Sequence, residues 1–562
     1  MPKMKTRIHS MRELFINLSK RIAAFAIVLQ FVFFCASAQG QGAYIDSITG
    51  VAFEMSLPAA FADAAKVAVK GLPAGLKYNA LTRKITGVPT KSGIFNVVIS
   101  ATGVPAQTLT MNTAALPVWA YGEFNGYLEG GGAASMTVSA QGKISGKLAS
   151  GGNNYTFSTT AYASGSSPES GFAFTVNASA GKALPPLPLA LLVSQAASPS
   201  IQTLGLADGQ LGSDATPVKL YRNVWKETDA ALNPIGYYTA TLTGAQGYGS
   251  GYLTFTVTDK GRIKTAGNLA DGTAVSLSGT LILDDTGRVF TVIYTSPAAY
   301  NGGCLFGLVE FVTPDGGGKM FLRILDGGAF LWKNLNPLAT AEYASGFLRE
   351  PVLSGGWYNT MINLRDYYEN GLTVGGVEAP PALQMTVRYI DYNYASEAEN
   401  PPRISWTEVT DVADAGVSPN GLGLSVTPAT GSGTGLTAPM AQTPAKMFDP
   451  DTKEFLGYNY DLDNPTGLTL KLTRTTGIFK GTFNSYYDYV SVDDWTTGKQ
   501  TTGHVVKKSS YQGALTPERE DKGDGMAGRG FYLTPGKSEY QNLQGKLIKY
   551  TYNQSYDFII LQ

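Results

Sequence analysis

The residues able to do chemistry are few. The chain has two histidines and two cysteines in 562 residues. His504 is the one histidine outside the N-terminal segment, with Ser509, Ser510, Asp493 and Asp494 near it in sequence. Those types could form a Ser-His-Asp relay, in which a base takes the hydroxyl proton and a carboxylate holds the base. No G-x-S-x-G elbow stands before a helical pattern. His504 instead heads an alternating segment, Val505–Tyr511, and reads as a strand or hairpin histidine. Cys304 lies in Gly302-Gly303-Cys304-Leu305-Phe306-Gly307. With no basic neighbour in that segment to lower its pKa, it reads as a small buried hydrophobe. One such Cys and one such His cannot supply a zinc site. Asp449-Pro450-Asp451, Asp461-Leu462-Asp463-Asn464 and Asp521-Lys522-Gly523-Asp524 offer oxygen ligands for calcium. None completes a calcium loop with its distant Glu, and Asx turns account for all three. No cofactor is expected, and calcium is the one metal these turns leave open.

Aromatic residues beside carboxylates are the more suggestive pattern. Tyr486-Tyr487-Asp488-Tyr489 is followed by Asp493-Asp494-Trp495. Asp366-Tyr367-Tyr368-Glu369-Asn370 forms a second cluster, and Tyr389, Asp391, Tyr392 and Tyr394 a third. Flat rings stack on sugar faces while carboxylates and amides hold sugar hydroxyls. Tyr486, Tyr487, Tyr489, Trp495, Tyr367 and Tyr368 are therefore the expected glycan contacts. The competing reading is structural, since Tyr is a favoured strand residue and cross-strand Tyr pairs stabilise sheets. No pair of carboxylates stands out as the acid and base of a glycosidase, so a non-enzymatic protein is expected.

The elements that position these residues follow from composition and patterning. Charged residues make up only 15% of the chain and hydrophobic ones 43%, which excludes a charge-driven disordered chain. Basic and acidic residues both number 43, so no basic surplus exists to neutralise phosphates, and nucleic acid is an unlikely partner on that ground. The N-terminus carries Lys3, Lys5, Arg7, Arg12, Lys20 and Arg21, then an apolar run from Ile22 to about Cys35, then Ala36-Ser37-Ala38. Together these describe a secretory signal peptide over residues 1–38. Its removal takes away six basic residues and one acidic one, leaving an acidic excess of five. The remaining chain has one Cys and no second apolar run of membrane length. Its domains must rely on large cores rather than on disulfides, and no integral membrane span is expected. Period-two alternation closed by turn residues dominates the rest. Leu253–Thr258 alternates apolar residues with Thr and turns at Asp259-Lys260-Gly261; Leu468–Thr473 does the same before Thr476-Gly477. Helical periodicity is scarce, with room for one or two turns in Pro58–Lys70. Ala183–Pro199 is apolar enough for a buried strand, while its prolines suggest an edge or connector.

Residues 71–103 read GLPAGLKYNALTRKITGVPTKSGIFNVVISATG. This segment resembles the Ig-like repeat of bacterial surface proteins, a cadherin-like β-sandwich. Gly71, Leu72, Pro73, Gly75 and Leu76 match that family's first turn. Ile85, Gly87 and Pro89 match its second, and Gly93, Phe95, Val97, Ile99 and Ala101 its following strand. Arg83-Lys84 departs from the usual Thr-Gly, which implies an altered hairpin. The resemblance covers about residues 44–113 and implies a spacer or adhesive module. Cadherin-type modules often bind calcium between repeats, and the acidic motifs for that are missing in this segment.

The chain also repeats internally. Thr137–Ile144 (TVSAQGKI) parallels Thr256–Ile263 (TVTDKGRI), each after a Gly/Tyr-rich strand, and Leu472–Gly481 is a weaker third copy. The surrounding segments resemble a repeat of large exported proteins of environmental diderm bacteria. Gly236–Thr239, Gly267–Thr273, Gly346-Phe347, Gly477–Phe483, Tyr511–Gly513 and Gly528–Leu533 carry that resemblance, which brings no chemistry with it. The expected fold is all-β: an Ig/cadherin-like sandwich over 44–115, then antiparallel sandwich or barrel-like units over 116–232, 235–350 and 352–562. The C-terminal segment Tyr550–Gln562 reads as a soluble closing strand rather than as part of an outer-membrane barrel. The expected function is that of an exported protein of the cell surface, periplasm or exterior, engaged in adhesion or glycan binding, with polysaccharide or envelope proteins as partners. A purely structural envelope or matrix component and a polysaccharide-active enzyme are the alternatives.

Overall fold

The computed structural model describes residues 44–562, apart from 182–183, 197–202, 226–233, 245–247, 316, 326–329, 341–345, 363–371, 375–386, 392–404, 410–423, 429–435, 438–441, 460–461, 463–466, 495–498, 521–525 and 562. It is almost wholly β, in antiparallel sheets with barrel-like closure. Its chain divides into two compact units, the smaller holding Pro58–Leu72 and Ile94–Asn112, the larger nearly everything from Thr113 onward.

Residues 44–114 carry β1 (Tyr44–Ile48), β2 (Phe53–Ser56), β3 (Ala68–Lys70), β4 (Leu76–Asn79), β5 (Lys84–Gly87), β6 (Gly93–Ala101) and β7 (Val104–Ala114). They form two sheets, of order β1-β7-β6-β3 and β2-β5-β4. In the smaller unit Val97 and Ile99 alternate on one side of β6 and are buried, as are Phe61, Leu109 and Met111. Pro58–Lys70 holds a single 3-10 turn, Ala59–Phe61, and ends in β3 rather than in further helix. In the larger unit, Gly75 and Gly87 both have positive φ, and a Cβ on either would meet a carbonyl oxygen at 1.9 and 2.2 Å. Close backbone approach, which only glycine allows, is thus the reason for both glycines of the turn pattern. Arg83 sits at the β4–β5 turn with φ +53, a left-handed residue at the departure from the family pattern.

The next eight strands are β8 (Gly122–Leu128), β9 (Gly132–Val138), β10 (Ile144–Ser150), β11 (Asn153–Thr159), β12 (Phe172–Ala178), β13 (Leu187–Gln195), β14 (Gly205–Leu211) and β15 (Thr216–Arg222). The sheet order is β11-β10-β9-β8-β15-β14-β13-β12. The chain therefore winds up and down, and β15 returns to pair with β8. The two ends of the order meet at one bridge, Thr156↔Ser179, with hydrogen bonds of 2.8 and 2.9 Å. A nearly closed eight-stranded barrel results, and at this size side chains fill the interior. Phe124, Met136, Ile144, Phe172, Phe174, Leu191 and Leu220 do so. β13 lies between β12 and β14 rather than at an edge. It tolerates Pro188 because that residue is near the strand start, where a missing N–H costs least.

The second sheet takes β16 (Gly236–Thr243), β17 (Gly251–Val257), β18 (Arg262–Asn268), β19 (Ala274–Thr280), β20 (Ile282–Leu283), β21 (Val289–Thr295), β22 (Cys304–Val312), β23 (Phe321–Ile324), β24 (Leu331–Asn334), β25 (Phe347–Arg349) and β26 (Val352–Trp357). Its main path is β19-β18-β17-β16-β26-β23-β22-β21-β20. This is the first barrel's winding again, with β26 returning to β16 as β15 returns to β8. β26 follows directly on the joint expected at 350–352 and belongs to this sheet. The TVSAQGKI and TVTDKGRI segments hold equivalent places. Val138 pairs with Ile144 and Val257 with Ile263. In both, the residue after the first strand donates to the carbonyl four residues on, and the Gly N–H returns to it. Gly142 and Gly261 have φ +77 and +66, the three-residue hairpin with a left-handed third position. In the third copy Thr473 pairs with Ile478 across a four-residue turn, so its register differs from that of the other two.

The remaining strands are β27 (Leu372–Val374), β28 (Val387–Asp391), β29 (Ser405–Val409), β30 (Leu424–Pro428), β31 (Leu436–Thr437), β32 (Ala445–Phe448), β33 (Phe455–Asn459), β34 (Thr469–Thr473), β35 (Ile478–Asp494), β36 (Lys499–Leu515), β37 (Met526–Gln541) and β38 (Leu547–Leu561). The third large sheet runs β31-β30-β27-β38-β37-β36-β35-β34. Two long hairpins, β35–β36 and β37–β38, pair along nearly their whole length, whereas β36 and β37 pair only over Tyr511–Leu515.

Candidate functional site

The sequence-level candidates fall on the third sheet or outside the described residues. Tyr486, Tyr487 and Tyr489 stand on β35 opposite Val506, Val505 and Gly503. Tyr367, Tyr368 and Trp495 lie outside the described residues. His504 stands on β36 opposite Asp488. Ser510 is six residues further along the same strand, roughly 20 Å away at about 3.4 Å per residue. Ser509 faces the other side and is buried. His504 and Ser510 are thus well separated along the backbone of β36.

The aromatic residues of the third sheet that the structure does bring together are packing residues. Phe479, Phe483, Tyr511, Tyr532 and Phe558 form one buried cluster. Tyr511 stacks on Phe558 at 3.7 Å and 12°, and its hydroxyl donates to the Thr469 carbonyl at 2.7 Å. Burial pushes the Tyr511 hydroxyl well above its ordinary value. Phe531, on the other face, joins the core of the second sheet. The aromatic positions of the GIFKGTF, YQG and GRGFYL segments are thus explained by burial.

The acidic turns and the cysteine resolve similarly. Asp449 Oδ1 accepts the N–H groups of Asp451 and Thr452 at 2.8 and 2.7 Å, and these bonds hold its carboxyl below the ordinary value. It is an Asx turn. Asp461, Asp463, Asp521 and Asp524 lie outside the described residues. Among the described residues no three His, Cys, Asp or Glu side chains converge as a metal site. Cys304 is buried, and burial pushes its thiol up. The structure adds what the local sequence could not show. Lys333 pairs opposite Cys304 across β22–β24, and its charge opposes the shift without overcoming it.

A second buried polar knot lies in the second sheet. Tyr300 donates to Asp271 Oδ2 at 2.8 Å, and Trp332 Nε1 donates to Tyr300 Oη at 3.1 Å. The Arg349 guanidinium lies 3.5 Å over the Tyr248 ring. Burial pushes Tyr248 up to about 12 and lowers Arg349. The Tyr300 hydroxyl and the Trp332 ring N–H both point at protein partners, while Arg349 Nε is buried without a hydrogen bond and is held by its stacking on Tyr248.

Because the interiors are filled, accessible recesses lie on the outside. The outer face of β9, β10 and β11 forms the floor of a trough of about 630 Å³. Ser135, Thr137, Ser145, Lys147, Thr156 and Ser158 point outward there, alternating with the buried Met136, Leu148, Tyr155 and Phe157. The trough continues past Ser135, Lys147 and Thr156 into a second recess of about 580 Å³. That recess has Asn125 and Asn154 of the first barrel on one wall, and Ser278, Thr280 and Tyr294 of the second sheet on the other. Volumes of 300–1,000 Å³ are typical of ligand sites.

The trough is held by a rigid junction. Phe290 meets Tyr127 and Tyr221 edge-on at 6.3 and 6.1 Å, in a cluster with Ile282 and Leu325. The Gly151-Gly152 turn reaches across, Gly152 N–H donating to Tyr294 Oη at 3.4 Å. Trp225, after β15, donates its ring N–H to the Leu281 carbonyl at 2.6 Å. A further hollow of about 660 Å³ lies between the β22–β23 loop and residues 518–520. Its charges are largely engaged by the protein. Arg323 pairs with Glu310 at 2.8 Å, and Arg519 donates to the Thr516 carbonyl at 3.0 Å.

Sequence reasoning missed the trough residues. The available signal was the outward row of three successive strands, hydroxyl after hydroxyl with one lysine. Any solvated strand face gives a similar row, so the signal points to a site only once the strands are known to be neighbours. Among the described residues no helix is long and apolar enough to cross a membrane. Compared with known proteins, the chain matches no family model and no curated sequence.

Proposed function

We propose that this chain is an exported, non-enzymatic protein of the cell surface or envelope that binds glycan along the trough on β9–β11 and its continuation toward β19 and β21. The observation that carries the reading is the continuous outward trough on two β bodies whose interiors are packed, with hydroxyl groups along β9–β11 and, in its continuation, apolar side chains such as Leu277 and Val292 beside amide and hydroxyl groups. Sugar hydroxyls need many fixed hydrogen-bonding partners, and sheet-borne side chains hold them better than loops do. The charge-then-apolar N-terminal segment ending in Ala36-Ser37-Ala38 supports export. The Ig-like segment supports a spacer or adhesive role ahead of the binding body. A non-enzymatic role is supported by the trough's lining, which among the described residues offers hydroxyls, amides and one lysine rather than the carboxylate pair of a glycosidase.

The test is titration of the full chain against a panel of soluble polysaccharides, followed by calorimetry and by Tyr and Trp fluorescence. A saturable response is expected from at least one. Ser145→Phe puts a ring into the trough from an outward position and should abolish the response while leaving the thermal midpoint in place. Binding that survives Ser145→Phe, or a flat panel, overturns the reading. A flat panel favours a structural envelope component.

A further inference from the structure

We infer that the ligand of the trough is an acidic polysaccharide, a sugar polymer carrying a carboxylate or sulfate on its rings. The inference rests on the glycan reading and deepens it. Register places Ser145 between Thr137 and Ser158, and Lys147 between Ser135 and Thr156. The floor is therefore two rows of three polar groups. Neighbours within a row are about 4.8 Å apart and the rows about 6.8 Å apart along the strands.

All six groups can donate hydrogen bonds, five as hydroxyls that also accept and one as an ammonium that only donates. Among the described residues, Lys147 is the only charged one lining either part of the trough, and it stands where the two parts join, with no carboxylate in either wall. A surface of donors around one cation is complementary to an anion rich in acceptor oxygens. A neutral sugar would leave the ammonium solvated and unused.

Sparse charge also selects among polyanions. Duplex DNA carries one charge per about 1.7 Å and is held by clustered Lys and Arg. One lysine among hydroxyls fits a polymer whose charges are a sugar ring apart, with ring hydroxyls between them.

The experiment compares polygalacturonate and alginate with neutral dextran and with polyglutamate, using the full chain at low salt and at 1 M NaCl. The two uronate polymers are expected to bind and the other two not. Binding should weaken at 1 M, where the screening length falls to about 3 Å. Lys147→Gln is expected to cost roughly five-fold in affinity for the uronates, and Lys147→Glu considerably more, as for loss and reversal of an exposed ion pair. Lys147 is outward and exposed, so both variants should keep the wild-type thermal midpoint. Three results overturn the inference. Dextran bound as tightly as the uronates, unaffected by Lys147→Gln, leaves the glycan reading standing and removes the acidic class. Polyglutamate bound equally well shows charge recognition without sugar recognition. No binding to any polysaccharide overturns both readings.

Discussion

The repeated hairpin allows the cost of a positive φ to be separated from the cost of a close contact. Gly142, Gly261 and Gly287 all occupy the left-handed position of a three-residue turn, at φ +77, +66 and +89. Their surroundings differ. A Cβ on Gly287 would meet nothing within 4 Å. A Cβ on Gly142 would sit 2.3 Å from the Gly50 carbonyl oxygen and 2.4 Å from its Cα, and one on Gly261 would sit 2.4 Å from the Trp225 ring. Alanine at Gly287 should cost only the backbone term, about 1–2 kcal/mol. Alanine at Gly142 adds displacement of a backbone segment that has no rotamer with which to yield, a further cost of about 1–3 kcal/mol. Gly261→Ala should fall near Gly142→Ala, because Trp225 is pinned by its bond to Leu281. The three costs fall on three separate hairpins, so a local readout resolves them better than a single midpoint does. Hydrogen exchange reports local opening instead. Peptides over 132–150 in Gly142→Ala, and over 251–268 in Gly261→Ala, should lose roughly 5- to 150-fold more protection than peptides over 282–295 in Gly287→Ala. Equal losses in all three would refute the reasoning, since they would mean that the docked loops contribute nothing.

Two further outcomes follow from buried polar groups. Asp557 accepts from Ser250 Oγ at 2.7 Å with Arg529 at 3.6 Å, and burial nevertheless raises its carboxyl above the ordinary value of 3.8. The folded chain then keeps a proton that the unfolded chain has lost, so stability falls as pH rises from about 3.8 through the raised value. Asp557→Asn keeps an acceptor for Ser250 and removes that slope, so thermal midpoints of wild type and variant should diverge as pH rises above about 3.8, and parallel curves would count against the assignment. Trp225→Phe leaves the Leu281 carbonyl without its 2.6 Å donor at a cost of about 1–2 kcal/mol. Faster exchange in peptides over 274–283 should report it, and unchanged exchange there would show that the ring holds the junction by packing alone.

The sequence made some features plain and concealed others for identifiable reasons. Alternation placed strands at Leu253–Thr258 and Leu468–Thr473, and TVSAQGKI and TVTDKGRI announced equivalent hairpins, because both signals are local. The barrel closures are not local. β8 finds β15, and β16 finds β26, across about a hundred residues each, and nothing in the four strands names the partner. Ala183–Pro199 was ambiguous because a proline inside an apolar run argues for an edge until the strand's start is known. Tyrosine is ambiguous by letter alone, since a ring that stacks on sugar and a ring that stacks on Phe558 are written the same way. Ser145 and Lys147 drew no notice singly. They gain meaning only from Thr137, Ser158, Ser135 and Thr156, which register sets beside them.

The return of β15 to β8, and of β26 to β16, has an evolutionary and engineering consequence. In each winding the first and last strands are hydrogen-bonded neighbours, so the chain arrives and departs side by side. Such a module can be duplicated, deleted or spliced into a longer chain at one point without cutting any internal ladder. The same closeness of ends makes each winding a natural subject for circular permutation. New termini at the exposed Gly151-Gly152 turn, for instance, would join the old ones through a short linker and leave every strand its neighbours. Growth of the protein by copying whole windings, rather than by lengthening one sheet, is what this arrangement favours.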